Sequence, residues 1–269
     1  MTDEICRQLD EDGYVLVEDV LGGEQLKRAQ ERFHRVEQET REEWARIPSA
    51  ERVFRPYGLG ENAHVVFPII DHDDLFVDLL EHPVTTGIAQ RIQGPDLMMV
   101  DNALHSKPAG TPAHTGWHRD TGKWEHDCSG WDDAMLARWE TIRACDVPHY
   151  KIKVFFIIEE IRNGTAPFSV VPGSHRWPEA PEEGNDALEE MPGHVRITGP
   201  AGAAIIWNGC IWHTAMDNTD TRARCMLLYN YTHFGDGQRE QYILRGEFRD
   251  RMKRERSPFC RQLLGIDRM

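Results

Sequence analysis

Val195-Arg196-Ile197-Thr198-Gly199-Pro200-Ala201-Gly202-Ala203-Ala204-Ile205-Ile206-Trp207-Asn208-Gly209 holds two short apolar runs, at 195–197 and 203–207, with Gly and Pro between them and Asn-Gly behind the second. Both runs are too short for a helix, and Gly, Pro and Asn at their ends mark turns. The same texture extends outward, with apolar runs at 97–105, 152–158 and 168–171 upstream and at 225–232 downstream. A parallel sheet needs a helix-length crossover between successive strands. The runs mostly follow one another without one, so the pattern predicts a mainly β fold of the sandwich or jelly-roll kind. Two long intervals, 121–150 and 177–194, break the rhythm. Connections of that length usually serve as lids or binding loops.

The N-terminal third reads differently. Tyr14-Val15-Leu16-Val17 is strand-like and is followed by Gly22-Gly23; residues 24–47 have helical spacing and strong helix formers. A second helix is predicted over about 73–93, stopped by Gly94-Pro95. No repeat and no low-complexity linker marks a boundary. The organisation expected is therefore one domain over 1–269: an N-terminal helical part to about 95, a jelly-roll core over about 96–235 and a helical tail over about 236–269.

At 269 residues the chain buries a full core, and 40% apolar with 28% charged residues is an ordinary globular composition. No apolar run approaches the roughly 18 residues needed to cross a bilayer. The acidic opening MTDEICRQLDEDGYVL has no basic region followed by an apolar stretch, so a cytoplasmic protein is expected. The six cysteines are scattered without a C-x-x-C pair, which argues for reduced thiols rather than a zinc site or disulfide framework. A net charge of -14 speaks against nucleic acid as partner. The basic stretch 249–256, interrupted by Asp250 and Glu255, reads as a solvated helix face.

His114-Thr115-Gly116-Trp117-His118-Arg119-Asp120 offers an imidazole and a carboxylate two residues apart. On extended backbone residues i and i+2 share a face, so His118 and Asp120 reach one ion while Arg119 turns away. His213, just beyond the run at 203–207, is the best third ligand. Two imidazoles and one carboxylate form a facial triad that leaves the other metal positions open, as in iron(II) oxygenases. Among 13 histidines an H-x-D pair alone is weak evidence.

Further motifs strengthen it. Glu11-Asp12-Gly13-Tyr14-Val15-Leu16-Val17 with Val20-Leu21, Ser106-Lys107-Pro108, Trp117-His118-Arg119-Asp120, Asn163-Gly164-Thr165, Val170-Val171-Pro172-Gly173-Ser174-His175, and His213 with Asn218 and Arg224 occur in this order. Together they resemble the phytanoyl-CoA dioxygenase-like branch of the iron(II)/2-oxoglutarate-dependent oxygenases over nearly the whole chain. The resemblance implies a double-stranded β-helix (jelly roll, cupin-like) with flanking α-helices. It also implies iron(II) on His118, Asp120 and His213, 2-oxoglutarate and dioxygen as cosubstrates, and ascorbate as the reductant in vitro. Arg224, eleven residues after His213, is the expected partner of the far carboxylate of 2-oxoglutarate, with Arg222 as rival. Lys153 and Asn102 are the other cosubstrate candidates. Lys153 interrupts an apolar strand, so it faces either a bound carboxylate or, on an edge strand, water. Ala215 stands where some members of the family carry a serine for the cosubstrate. Pro172-Gly173 reads as a tight turn and His175 as structural.

The activity implied is hydroxylation of an unactivated C–H bond of a small molecule, in natural-product tailoring or small-acid metabolism, with release of succinate and carbon dioxide. Desaturation, epimerisation and ring formation remain open, as do a metal-binding cupin without oxygen chemistry and a 2-oxoglutarate sensor. The interval 121–150 is expected to form a lid, and Trp117, Trp124, His105 and Tyr57 to wall the pocket, although each Trp could instead pack the loop onto the barrel. A small-molecule substrate and a monomer or homodimer are expected.

Overall fold

Alternation along the central strands explains the layers. In β4 (Lys151–Ile157), Ile152, Val154 and Phe156 pack into one apolar cluster while Phe155 and Ile157 pack into another. β7 (Ala204–Asn208) and β9 (Arg224–His233) divide in the same way, Ile206, Leu227 and Tyr229 going to the first cluster and Ile205, Met226 and Leu228 to the second. A sheet buried on both faces carries apolar side chains at successive positions, so these strands read as apolar runs rather than as alternating ones, although Lys153 breaks β4 and Asn230 breaks β9. The structure, a computed structural model, describes residues 2–47, 63–113, 115–120, 151–177, 187–233 and 246–268.

The remaining strands are β1 (Tyr14–Val17), β2 (His64–Val66), β3 (Leu97–Lys107), β5 (Phe168–Val170), β6 (Val195–Ile197) and β8 (His213–Ala215). A six-stranded sheet has the order β1-β7-β4-β9-β3-β2 and a three-stranded sheet the order β6-β5-β8, and every pairing is antiparallel. Phe168, Val170 and Ile197 of the small sheet meet the large sheet in the second cluster. The first cluster lies under the helices α1 (Thr2–Asp12), α2 (Gly23–Arg46), α3 (Asp74–Leu80), α4 (Pro83–Gln93), α5 (Gly246–Glu255) and α6 (Pro258–Leu263). This is the expected mainly β jelly roll with flanking helices.

Three features depart from the sequence reading. The strand expected at Tyr14–Val17 pairs with β7, but β2, which pairs with β3, was not expected, so the N-terminal part supplies both edge strands of the large sheet. The single helix expected over 73–93 is two: Pro83 opens α4, and its ring disfavours helical backbone in the residue before it. Asp73 caps the first of the pair, its Oδ1 accepting from the Leu75 N–H at 2.9 Å. The basic stretch near the C-terminus is not simply solvated, because Arg251 and Arg256 pair with Asp74 and Asp78 of α3.

Cys6, Cys210, Cys225 and Cys260 are free thiols, as expected, and Cys128 and Cys145 lie outside the described residues. Among the described residues no helix is long and apolar enough to cross a membrane.

Candidate metal centre

His213 opens β8 and stands opposite Val170 of β5. His118 is tied to it by two backbone hydrogen bonds, His118 N–H to His213 O at 3.0 Å and His213 N–H to His118 O at 2.9 Å. The expected strand through His118 and Asp120 is therefore only an isolated bridge, yet it brings the side chains together. The His118 Nε2 lies 3.6 Å from Asp120 Oδ1 and the His213 Nε2 lies 3.4 Å from Asp120 Oδ2. The three ligating atoms all fall within 4.8 Å of one another. Arg119 points away, donating to the carbonyls of Ser174 and Trp177.

Tautomers follow from the partners. The Nδ1 of His118 is 2.8 Å from the Gly116 carbonyl and the Nδ1 of His213 is 2.9 Å from the Ile211 carbonyl. A carbonyl only accepts, so both Nδ1 atoms carry hydrogen and both Nε2 lone pairs are free for a metal. Burial holds His213 down at about 4 despite the neighbouring Asp120, so it is neutral near pH 7. Desolvation alone would raise the Asp120 carboxyl. The Lys153 ammonium, which donates to its Oδ2, and the two imidazoles outweigh this and hold it well below the ordinary carboxylate range. Two imidazole Nε2 atoms and one carboxylate thus converge, a donor set that fits a divalent iron.

A second grouping, His34, Glu37 and Cys225, is also close enough for a metal. Its carboxylate is already engaged by Arg41, Ser106 and His34, and its thiol is pushed up to about 12 by burial. The first grouping is the better site.

That first grouping opens into a cavity of about 290 Å³. Arg224, only 5% exposed, lines it; its Nη1 donates to the Ala166 carbonyl at 2.9 Å while its Nε has no partner among the described residues. Burial without a counter-ion lowers it to about 10. Arg222 instead reaches toward Glu160 and Asp220 at the surface, so of the two arginines Arg224 is the one that lines the cavity. Directly opposite Arg224 in register is Lys107, which is fully buried and lowered to about 8 by burial first and by Arg224 second. Ala215 and Thr214 are part of the wall, with no serine at 215.

Of the other expected residues, His105 lines the cavity and packs edge-on against Phe155. Lys153 also lines it, on a central strand, so the edge-strand reading is overturned; its partner in the structure is Asp120. Asn102 is on the other face of β3, where its Oδ1 accepts from the N–H groups of Ile69 and Ile70, and it does not line the cavity. Trp117 turns away too, packing with Val171, Met191, Trp212 and Met216 and donating to the Leu188 carbonyl at 3.0 Å. Tyr57, Trp124 and the lid expected over 121–150 lie outside the described residues. His175 is structural, held at the Asp10 carbonyl, and Gly173 makes the turn at a φ of 75°.

The sequence reading missed Asp101, a carboxylate on the cavity wall that burial pushes upward against the pull of Lys153. Counting back in twos from His105 would have found it.

Comparison with known proteins agrees with this geometry. The profile of the phytanoyl-CoA dioxygenase (PhyH) family matches residues 9–226. Relatives include an L-proline trans-4-hydroxylase of Streptomyces griseoviridis, 24% identical over 60% of this chain and 64% of that protein. An ectoine dioxygenase of Stutzerimonas stutzeri is 23% identical over 86% of this chain and 76% of its own length. The chain thus spans just under two thirds of the proline hydroxylase. Among solved structures, EctD from S. alaskensis with bound Fe superposes with a TM-score of 0.65 at 17% identity, covering 92% of this chain and 83% of EctD. With the profile spanning most of its length and the three ligands assembled, the chain belongs to the phytanoyl-CoA dioxygenase (PhyH) family of iron-dependent dioxygenases.

Proposed function

We propose that this protein hydroxylates a small molecule using iron(II), 2-oxoglutarate and dioxygen. The observation that carries the reading is one cavity holding both the His118-Asp120-His213 triad and a buried arginine without an anion. Iron(II) bound there would couple decarboxylation of 2-oxoglutarate to succinate and carbon dioxide with insertion of one oxygen atom of dioxygen into a substrate C–H bond.

The chain's own residues prepare that chemistry. The Gly116 and Ile211 carbonyls fix both imidazoles with Nε2 toward the metal, and Lys153 keeps Asp120 ionised and oriented. Arg224 offers a planar fork to the far carboxylate of 2-oxoglutarate, while Lys107, opposite it in register, donates to the Pro112 carbonyl. With Ala215 in the wall, no hydroxyl assists there, so the anchor rests on Arg224. Phe168, Met226 and Leu228 make the stretch between anchor and metal apolar and exclude water from the cosubstrate chain. The presence of a carboxylate in the triad favours hydroxyl transfer over halogenation. The relatives named for L-proline and ectoine support a small free molecule as substrate.

The test is succinate formation by purified protein supplied with iron(II), ascorbate and 2-oxoglutarate. The wild type is expected to form succinate even without substrate, and His118→Ala to form none. Arg224→Ala should raise the KM for 2-oxoglutarate at least tenfold, the loss of one charge-assisted pair of about 1.5–3 kcal/mol. Equal succinate formation by wild type and His118→Ala would refute the proposal.

A further inference from the structure

Arg224 has less to offer a carboxylate than the bare guanidinium fork suggests. One Nη1 hydrogen goes to the Ala166 carbonyl at 2.9 Å, and the Nε is buried without a partner among the described residues. A carboxylate has two oxygens with about four lone-pair sites, so the fork leaves some of them open. The Lys107 ammonium is turned to the Pro112 carbonyl, the Thr214 hydroxyl donates to the Thr115 carbonyl, and Ala215 has no hydroxyl. A second donor to the same carboxylate is found on the large sheet, at His105.

The register of the strands places it. His105 of β3 stands opposite Met226 of β9, and Lys107 opposite Arg224, so His105 is the diagonal neighbour of Arg224. Arg224 and Met226 share a face of β9, being two residues apart, and His105 is on that face because it is paired with Met226. Diagonal neighbours lie about 7–8 Å apart, within reach of aromatic and long side chains. All three residues line the cavity. On its other side His105 is paired with Val65 of β2, and its ring meets Phe155 edge-on, the centroids 5.7 Å apart. Phe155 in turn packs against Phe168 and Trp207, so the imidazole is a polar group set in an apolar, aromatic wall. The metal end is a separate place. Lys153, which holds Asp120, stands opposite Asn230, four residues beyond Met226 along β9 and so about 14 Å away at roughly 3.4 Å per residue. In either protonation state an imidazole keeps at least one ring N–H to donate.

We infer that His105 is a binding residue for the far carboxylate of 2-oxoglutarate, donating a ring N–H to an oxygen that Arg224 leaves open, and is not part of the substrate wall. Arg224 and His105 together then select a dicarboxylate over a monocarboxylate as cosubstrate. The inference rests on the oxygenase reading, because it takes 2-oxoglutarate to be the anion at Arg224.

The probes are 2-oxoglutarate and 2-oxopentanoate, which has the same carbon chain and the same chelating end but a methyl group in place of the far carboxylate. The Kd of each is measured by calorimetric titration of the anaerobic iron(II)-loaded protein, without turnover. His105→Phe keeps an aromatic ring against Phe155 and removes the N–H; His105→Gln restores a donor. His105→Phe should weaken 2-oxoglutarate about tenfold or more, as expected for one hydrogen bond to a charged group, and leave 2-oxopentanoate unchanged, while His105→Gln should recover part of the loss. The inference is overturned if His105→Phe keeps the wild-type ratio of the two Kd values, whether neither changes or both weaken together as a role in packing alone would give. A measurement on the wild type needs no variant: in zinc(II)-loaded protein with isotope-labelled histidine ring nitrogens, 2-oxoglutarate should shift the signals of a histidine other than the two ligands, and 2-oxopentanoate should not. His105 is the third histidine of the cavity. Identical histidine spectra with the two compounds would also overturn the inference. A wild type that binds neither compound and forms no succinate would instead sink the oxygenase reading, and this assignment with it.

Discussion

Lys153 is the residue whose role depends most on its surroundings. It sits at the centre of β4, 7% exposed, its ammonium on Asp120 and 5.0 Å from the centroid of the Trp207 ring. Such a cation, next to the carboxylate of the proposed metal site, would orient that ligand and neutralise it when no metal is bound. Lys153→Met should therefore weaken iron(II) binding by about tenfold or more, the usual effect of losing a group that supports a ligand, while Lys153→Arg should recover part of it. Unchanged affinity in Lys153→Met, read by anaerobic iron titration, would remove Lys153 from the centre. Single residues were legible to different degrees. His118, Asp120, His213 and Arg224 stand at spacings that carry information in the chain itself. Asn102 and His105 differ by an odd number, so on one strand they cannot share a face, and the structure places only His105 in the cavity. Trp117 fails for the same reason, being adjacent to His118. Lys107 gave no sign of its place, because only the pairing of β3 with β9 sets it opposite Arg224.

Between elements, a few side chains clamp helices to the sheet. The hydroxyls of Tyr229 and Tyr231 on β9 donate to the carbonyls of Phe76 at 2.8 Å and Leu80 at 2.7 Å, satisfying acceptors of α3 in an apolar setting. Tyr231→Phe should cost about 1–3 kcal/mol in urea unfolding, since it strands the buried Leu80 carbonyl at the end of α3; a loss under about 0.5 kcal/mol would mean that water replaces the hydroxyl. On the exposed flank, His34 of α2 meets Glu37 and Glu159. The contact with Glu37 outweighs desolvation and raises His34 from 6.5 to about 9, while burial is outweighed at Glu37, which falls from 4.5 to about 2. The raised histidine stabilises fully below about 6.5 and loses its contribution as pH climbs through 9; the depressed glutamate stabilises above about 4.5 and loses its contribution as pH falls through 2. His34→Ala should accordingly destabilise at pH 6 by less than about 1 kcal/mol, the site being half exposed, and the difference should fade by pH 10. Elements with several apolar positions were readable from the chain. β8, with His213 and Thr214 among its three residues, and α1 with its polar surface were not, because neither carries an apolar run.

At the scale of the whole molecule the three proposed ligands join parts that the chain keeps distant. His213 belongs to the small sheet, His118 is bridged to it from the segment beyond β3, and Asp120 is held by Lys153 of the large sheet. This was not legible beforehand, because a triad read from spacing does not say which layers it connects. A metal bound by all three would act as a cross-link between the sheets on their open side, whereas the helices already cover the opposite face. Binding to the folded state alone stabilises by about 2.7 kcal/mol at a free metal concentration one hundred times the Kd. For a chain of this size that corresponds to a rise in Tm on the order of 5–10 °C. Anaerobic iron(II) should produce this rise in the wild type, and a chelator should reverse it. Asp120→Ala and His213→Ala, which each keep two of the three ligands, should lose most of it while Arg224→Ala keeps it, since the arginine touches the cosubstrate end and not the metal. A rise of equal size in His213→Ala would place the metal elsewhere, for instance at His34 and Glu37, and a loss in Arg224→Ala would show that the anchor end is needed to assemble the triad.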